Sequence, residues 1–363
     1  MKADFILAIG ELGKEKGIDP ELLFQAVEEA LVTAYKKNFG SNQNVRVDMN
    51  KVTGELHIYA QRHIVAEVGD DPNEISLEEA RKIDPRYEVD DIVETEVTPR
   101  NFGRIAAQNA KQVVVQRIRE AERGMVFEKF SSRENDIVTG IIQRMENKNV
   151  YIDLGKAEAI LTPNEQIPGE IYQYHDRMKT YIVEVKKTSK GPQIMVSRTH
   201  PGLLKRLFEL EVPEIHDGLV EIKSVAREPG MRSKISVYTK DENIDPVGAC
   251  VGHKGMRVQT IVNELRGEKI DIVKYSSEPD QYVANALSPA KVVSTEVLEE
   301  EKICRVIVPD YQLSLAIGKE GQNARLAAKL TGWKIDIKSE SQAAEEAEQG
   351  AQEVGVAYEA DED

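Results

Sequence analysis

The chain contains one motif twice, as VGHKGMRVQTIVNELRGEKIDIV at residues 251–273 and as IGKEGQNARLAAKLTGWKIDIK at residues 317–338. Each copy begins with a glycine pair of the form G-x-x-G and continues into a helical pattern and a short strand. The second pair, Gly318 and Gly321, follows the first pair, Gly252 and Gly255, by 66 residues. A single G-x-x-G is a weak signal, but chance rarely repeats a whole unit.

The repeat extends in front of each glycine pair. A helix (PGLLKRLFEL) and two strands (LVEIKSVAR and KISVYT) precede the first pair, and a helix (DQYVANAL) and two strands (KVVSTEVL and ICRVIV) precede the second. Both copies therefore predict the order α-β-β-α-α-β, over residues 201–277 and 278–340. This order with a G-x-x-G loop is typical of a KH domain, which binds about four nucleotides along their backbone.

The glycine pairs are the predicted RNA-binding elements. Glycine at both ends of a tight connection lets a sugar-phosphate backbone approach the peptide, and the next helix directs its N-terminal N–H groups at phosphates. The predicted contacts are Gly252, His253, Lys254, Gly255 and Arg257 in the first copy, and Gly318, Lys319, Gly321, Gln322 and Arg325 in the second. Because Glu320 is acidic, we expect the second loop to bind RNA less tightly. The alternative is that the glycines only cap helices.

Residues 131–200 show a different pattern, with five short strands separated by turn residues. Five strands in about seventy residues predict a small closed barrel of the OB type. Tyr151 and Arg144 would supply a stacking surface and a basic contact for RNA. The alternative is that they are ordinary packing residues of a barrel that acts as a spacer.

Residues 1–130 predict an N-terminal α/β domain. Two helices come first, and Asp19-Pro20 begins the second of them. A hairpin over residues 43–65, a short acidic helix, a strand and a long helix from Arg104 follow, and Gly124 is expected to end the long helix.

Charge and composition bear on the C-terminal tail, on membrane insertion and on the state of the two cysteines. Nine acidic residues and no basic ones follow Lys338, which leaves −6 of the net charge of −15 on the rest of the chain. Residues 341–363 are polar and acidic, and predict a disordered acidic tail. No stretch is long and apolar enough for a bilayer, and Cys250 and Cys304 stand in apolar surroundings, so we expect a cytoplasmic protein with buried, reduced thiols.

Catalytic chemistry is not indicated. The six histidines are scattered, and the sequence has no H-E-x-x-H, phosphate-binding loop or nucleophile elbow. We therefore expect no catalytic residues, no metal and no cofactor.

The order of these segments resembles the NusA family of bacterial transcription termination/antitermination factors. The resemblance covers roughly residues 1–340 and is carried by IGKEGQNARLAAKLTGWKIDI, by the S1-like barrel before it, and by GRIAAQNAKQVVVQRIREAER (103–123). It implies an N-terminal domain (1–130) that binds RNA polymerase, an S1 domain (131–200) and two tandem type II KH domains that hold nascent single-stranded RNA. It also implies a role in pausing, termination and antitermination, beside other elongation and antitermination factors.

Two further hypotheses concern the N-terminal domain. The spacing and the family resemblance suggest that Lys37, Arg104 and Lys111 contact the phosphates of an RNA hairpin, although an ordinary solvated face would look the same. Five apolar residues could form a polymerase-docking surface or could be core: Phe5, Ile6, Ile9, Leu31 and Tyr35. We expect a monomer with no membrane contact.

Two other functions fit the same modules. KH and S1 domains also occur in ribosome-associated factors, and a KH–S1 ribonuclease carries them as accessory domains. The first 130 residues have neither the length nor the carboxylates for a phosphorolytic core, so the ribonuclease would require this chain to be an accessory fragment.

Overall fold

A computed structural model of the chain describes residues 3–39, 42–69, 71–346 and 348, with side chains from residue 6 onward. The chain divides into two compact units, Met1–Glu128 and Lys129–Asp363. Each unit has its own hydrophobic core, and each is described here by itself.

The first unit combines helices with a four-stranded sheet. Its elements are α1 (Ala3–Lys16), α2 (Pro20–Phe39), β1 (Asn44–Met49), β2 (Leu56–Val65), β3 (Glu74–Ser76), α3 (Leu77–Ile83), β4 (Ile92–Glu96) and all but the last three residues of α4 (Phe102–Ser131). Strand β2 pairs with the other three strands. Asp19 begins α2 as predicted, because its carboxylate accepts a hydrogen bond from the backbone N–H of Glu21.

The apolar residues near the N-terminus belong to the core of this unit. Ile6, Ile9, Leu31 and Tyr35 are all buried, in a cluster with residues of α4 and the sheet. The structure therefore supports the core interpretation for these four, and the side chain of Phe5 lies outside the described residues.

The prediction that Gly124 ends the long helix is wrong, because α4 continues to Ser131. Glycine in a helix interior costs only about 1 kcal/mol relative to alanine. Phe130, near the end of the helix, is 2% exposed, and burying one such side chain contributes about 1.5–3 kcal/mol. Packing beyond the glycine therefore offsets its low helix propensity.

The second unit begins with the predicted barrel. Its five strands are β5 (Ile137–Glu146), β6 (Asn149–Asp153), β7 (Glu158–Leu161), β8 (Arg177–Thr188) and β9 (Gly191–Ser197). They close in the order β5-β6-β7-β9-β8. Alternate residues point inward, so Val150 and Ile152 of β6 are buried while Tyr151 between them is partly exposed.

Two α-β-β-α-α-β units follow, named KH1 and KH2 below. KH1 consists of α5 (Pro201–Glu211), β10 (Glu221–Glu228), β11 (Arg232–Tyr238), α7 (Pro246–Val251), α8 (Met256–Glu264) and β12 (Lys269–Lys274), with an additional turn of helix, α6 (Pro213–His216). KH2 consists of α9 (Pro279–Ala286), β13 (Ser294–Leu298), β14 (Ile303–Val308), α10 (Leu313–Ile317), α11 (Gln322–Thr331) and β15 (Lys334–Ser339). In both sheets the central strand pairs antiparallel with the first strand and parallel with the last. The predicted repeat is confirmed.

KH2 packs on the outer face of the KH1 sheet. Ala226 of β10 and Val273 of β12 are buried in one core cluster with Leu326 and Ala327 of α11. Lys234 of β11 is fully buried there. Its ammonium group donates hydrogen bonds to the Asp271 carboxylate at 3.0 Å and to the backbone carbonyl of Ser288 at 2.8 Å. The two glycine loops are therefore carried by one packed body.

The predicted disordered tail, 341–363, is only partly described. Residues 340–346 are helical, and the Ser341 hydroxyl donates a hydrogen bond to Asp310 at 2.8 Å. Residues 349–363 lie outside the described residues. In the part of the chain that the structure describes, no helix is long and apolar enough to cross a membrane.

Candidate nucleic-acid interface

The two glycine loops have the same backbone conformation. The first glycine has φ/ψ of 73°/177° in KH1 (Gly252) and 78°/171° in KH2 (Gly318). The second glycine is left-handed in both, at 77°/12° for Gly255 and 74°/14° for Gly321. In each loop the N–H of the second glycine donates to the carbonyl of the first at 3.1 Å. The sequence repeat is therefore a repeat of local geometry.

The residue before the second glycine is also left-handed in both loops. Lys254 has φ/ψ of 51°/28° and Glu320 has 53°/28°. Residues other than glycine rarely adopt this conformation, and its recurrence indicates a loop whose shape the fold imposes. Both side chains are exposed. The same position is thus cationic in KH1 and anionic in KH2.

The first glycine of each loop is required by the packing of the protein itself. A Cβ on Gly252 would lie 2.6 Å from Cγ of Arg257, and a Cβ on Gly318 would lie 2.8 Å from the backbone N of Asn323. These distances are far below van der Waals contact. Packing within the protein therefore already requires glycine at this position, and the predicted contact with a nucleotide stays a prediction.

The second glycine of each loop faces open space. The nearest atom to a Cβ on Gly255 is a Val258 methyl carbon at 4.0 Å, and for Gly321 it is Nη1 of Arg325, also at 4.0 Å. What this position requires is the positive φ. At Gly255 and Gly321 the side of the peptide on which a Cβ would stand is thus open to an approaching group.

The predicted KH1 contacts fall into two groups. His253 and Lys254 are exposed on the loop, directly before the N-terminus of the nine-residue helix α8. Arg257 is engaged within the protein, because its Nη1 donates to the Ala249 carbonyl at 2.6 Å and to the Glu214 carboxylate at 2.9 Å. Its side chain also fills the space beside Gly252, so Arg257 supports the loop.

The KH2 side chains are similarly divided. Lys319 is exposed on the loop, before the ten-residue helix α11. Gln322 and Arg325 both donate hydrogen bonds to the carboxylate of Glu228, which belongs to KH1. The hydrogen bond from Arg325 keeps the pKa of Glu228 below its ordinary value, so that this carboxylate is ionised at neutral pH. Sequence spacing did not indicate this partner, which precedes Arg325 by 97 residues.

The structure brings together the two predicted contacts on the barrel. The Arg144 guanidinium lies 4.0 Å from the centre of the Tyr151 ring and forms an ion pair with Glu158 at 2.8 Å. One face of the Tyr151 ring is therefore covered by a cation. Tyr174 is 63% exposed, and the centre of its ring lies 3.9 Å from the centre of the His175 ring.

Lys37, Arg104 and Lys111 are all exposed in the first unit. The end of α2 meets the start of α4 there, because the rings of Phe39 and Phe102 are 6.1 Å apart. Lys37 and Arg104 each stand two residues from this contact. Lys111 lies two turns further along α4, about 10 Å from Arg104. The contact of these three cations with the phosphates of an RNA hairpin stays a prediction.

The sequence reasoning also missed the residue that joins the barrel to KH1. Arg198 is 1% exposed. It forms an ion pair with Glu170 of the barrel, donates to the backbone carbonyl of Lys179 at 2.9 Å, and donates to the carbonyl of Glu264 in KH1 at 3.0 Å. A buried arginine with this many partners is recognisable only in three dimensions.

Metal and thiol chemistry are not indicated in the described ranges. No group of three His, Cys, Asp or Glu side chains there could hold a metal ion. Both cysteines are free and buried, and burial raises the pKa of the Cys250 thiol to about 12. This thiol is therefore protonated and unreactive at neutral pH.

Four family models match successive parts of the chain. They are the NusA N-terminal domain (residues 4–124), the S1 RNA binding domain (131–197), the NusA-like first KH domain (198–275) and the NusA-like second KH domain (279–345). Their order is the order of the elements described above.

Several relatives are similar over nearly the whole chain. Proteins named transcription termination/antitermination protein NusA from Halalkalibacterium halodurans and Bacillus subtilis are each 65% identical over 345 residues. The alignments cover 95% of this chain in both cases, and 90% and 93% of the relatives. A protein of the same name from Thermus thermophilus is 42% identical over 346 residues, covering 92% of this chain and 89% of the relative.

Proposed function

The chain belongs to the NusA family of transcription termination/antitermination proteins, and we propose that it is an RNA-binding transcription elongation factor that docks on RNA polymerase and holds nascent RNA. Residues 1–130 bind the polymerase in this proposal. The S1 barrel and the two KH domains hold the emerging transcript, and the complex modulates pausing, termination and antitermination.

The observation that carries the RNA-binding role is the repeated loop. Two loops of the same backbone conformation each present an open left-handed glycine before a helix of at least nine residues. Helix N-termini favour anions, and His253, Lys254 and Lys319 add polar or cationic side chains at the loops. Because both loops belong to one packed body, binding at one loop makes binding at the other intramolecular.

Substitutions at Lys254 and Glu320, the equivalent positions of the two loops, test the RNA-binding role. The two residues have the same backbone conformation, so Lys254→Glu and Glu320→Lys each place a side chain that the other copy already accommodates. We expect Lys254→Glu to weaken binding of an unstructured RNA about three- to tenfold at low salt, and Glu320→Lys to tighten it. The slope of log K against log salt should fall by about 0.7 for the first variant, the value of one phosphate contact on single strands.

Lys82→Glu is the matched control, because this exposed lysine of α3 undergoes the same change of charge in the first unit. Equal effects of Lys254→Glu and Lys82→Glu on RNA affinity would refute the role of the loop and leave only general electrostatics.

The polymerase role needs a separate measurement with the full chain. Capture of the tagged protein from a cell extract treated with ribonuclease is expected to recover RNA polymerase subunits. Recovery of ribosomal subunits without polymerase would favour the ribosome-associated alternative.

A further inference from the structure

Two side chains next to the KH2 loop, Gln322 and Arg325, share one carboxylate of KH1. Glu228, the last residue of β10, accepts a hydrogen bond from Nε of Arg325 at 2.6 Å and one from Nε2 of Gln322 at 2.8 Å. The Glu228 side chain is 17% exposed and that of Arg325 is 48% exposed. The contact is thus a partly shielded ion pair between two domains, at the edge of solvent.

Arg325 stands where a phosphate would approach the KH2 loop. Its Nη1 donates to the carbonyl of Glu320 at 3.1 Å and lies 4.0 Å from the open side of Gly321. The guanidinium therefore borders the open side of the second glycine of this loop. An arginine at such a position can bind a phosphate through two parallel hydrogen bonds.

KH1 carries a different residue at the position of Arg325. The residue equivalent to Arg325 in the first copy is Gln259, whose amide donates a hydrogen bond to Asn263 on the same helix. The KH1 loop carries its exposed cation, Lys254, on the loop itself. In KH2 that position is Glu320, so Arg325 is the cation beside the second glycine, and Glu228 neutralises it.

We propose that Glu228 of KH1 restrains RNA binding at the KH2 loop because it holds Arg325 in an ion pair. When RNA binds, a phosphate replaces the Glu228 carboxylate as the partner of Arg325. The inference rests on the proposed RNA-binding function and adds an acidic residue from the neighbouring domain to the KH2 site. It makes KH2 the weaker loop through two carboxylates, Glu320 within the loop and Glu228 across the domain contact.

The test compares the full-length protein with its Glu228→Gln variant. Glutamine keeps the shape and an oxygen acceptor for Gln322 and Arg325 but removes the charge. With a fluorescein-labelled, unstructured 20-nucleotide RNA of A and C at low salt, we expect the variant to lower the Kd about two- to fivefold, the range that ion pairs of this exposure contribute. The difference should disappear near 1 M salt, where the screening length is about 3 Å.

Two further variants isolate the cause. Glu296→Gln removes one acid from an exposed ion pair on the KH2 sheet and is the control for the change in net charge. In the Arg325→Gln background, Glu228→Gln should no longer tighten binding, because the residue that it releases is gone. Urea unfolding of each variant establishes that it is folded.

The outcomes separate this inference from the function on which it rests. If the unmodified protein binds the RNA but Glu228→Gln binds it with unchanged or weaker affinity, the restraint is refuted, and weaker binding would make Glu228 a residue that positions Arg325. An equal gain in the Arg325→Gln background would also overturn the proposal. If the unmodified protein does not bind RNA, the proposed function fails first.

Discussion

The two glycines of the KH2 loop should respond very differently to the same substitution. Gly318→Ala places a Cβ 2.8 Å from backbone and side-chain atoms of Asn323, whereas Gly321→Ala places one in open space. Both positions have positive φ, but Gly318, at 78°/171°, lies in a region that is essentially restricted to glycine. Gly321, at 74°/14°, lies in the left-handed region that other residues visit at a cost.

The expected losses of stability follow from these differences. Gly321→Ala should cost about 1–2 kcal/mol, the penalty of an alanine in the left-handed region. Gly318→Ala incurs about 1–3 kcal/mol of backbone strain and about 1–3 kcal/mol more for overpacking against Asn323. The total loss for Gly318→Ala is a large part of the stability of a typical domain, which is about 5–15 kcal/mol. Gly321→Asn should cost less than Gly321→Ala, because asparagine tolerates this conformation.

The chain contains its own probe for the measurement. Trp333 is the only tryptophan, and it packs against the KH2 core directly before β15. Its fluorescence during urea unfolding therefore reports on KH2. With a slope of about 2 kcal/mol per molar urea, each additional 1 kcal/mol lost moves the midpoint down by about 0.5 M.

Equal midpoints for Gly318→Ala and Gly321→Ala, at equal slopes, would contradict the distinction between the two glycines. A folded Gly321→Ala variant is also the better of the two for measuring RNA affinity. Loss of RNA affinity in that variant reports on the approach to the peptide, while the same loss in Gly318→Ala would report on folding as well.

Three further predictions follow from the buried and basic groups. Arg198→Met leaves Glu170 buried without its cation, so urea unfolding followed by circular dichroism should show a loss of about 3–5 kcal/mol, and adding Glu170→Gln should recover part of it. Burial raises the pKa of Glu268, but the hydrogen bonds from its neighbours and the charge of Arg227 outweigh this and lower the pKa below its ordinary value of 4.5. Its contribution to stability is therefore complete above that pH and is lost as the pH falls through the lowered value. The urea midpoint of Glu268→Gln should accordingly depend less on pH in that acidic range than that of the unmodified protein. Reversing the charges of Arg104 and Lys111 should shorten hairpin-dependent pauses in a transcription assay, and unchanged pauses would exclude the hairpin contact.

The architecture could be predicted from the sequence because each element carries a local signal. The two loops were recognisable from their glycines, the barrel strands from alternation, and the start of α2 from Asp19-Pro20. The prediction at Gly124 was wrong because it considered only the low helix propensity of glycine, which costs about 1 kcal/mol. The burial of Phe130 further along the helix outweighs this cost, and the sequence does not show that burial.

The partners of the charged residues could not be predicted in the same way. Arg257 and Arg325 have the residue type and the position of phosphate ligands, yet both are engaged by carboxylates far away in sequence, Glu214 and Glu228. Arg198 gave no signal at all. A sequence gives the type of a side chain, whereas its ion pair depends on how the domains pack.

The packing of KH2 on KH1 affects how the chain is completed during synthesis. The buried ammonium of Lys234 depends on the carbonyl of Ser288, and Ala226 and Val273 depend on α11, which ends at Thr331. When the ribosome has synthesised only the residues up to β12, the outer face of the KH1 sheet is therefore still exposed to water. Lys234 then lacks one of its two hydrogen-bond acceptors. The packing of KH1 is complete only when KH2 has left the ribosomal exit tunnel and covers this face.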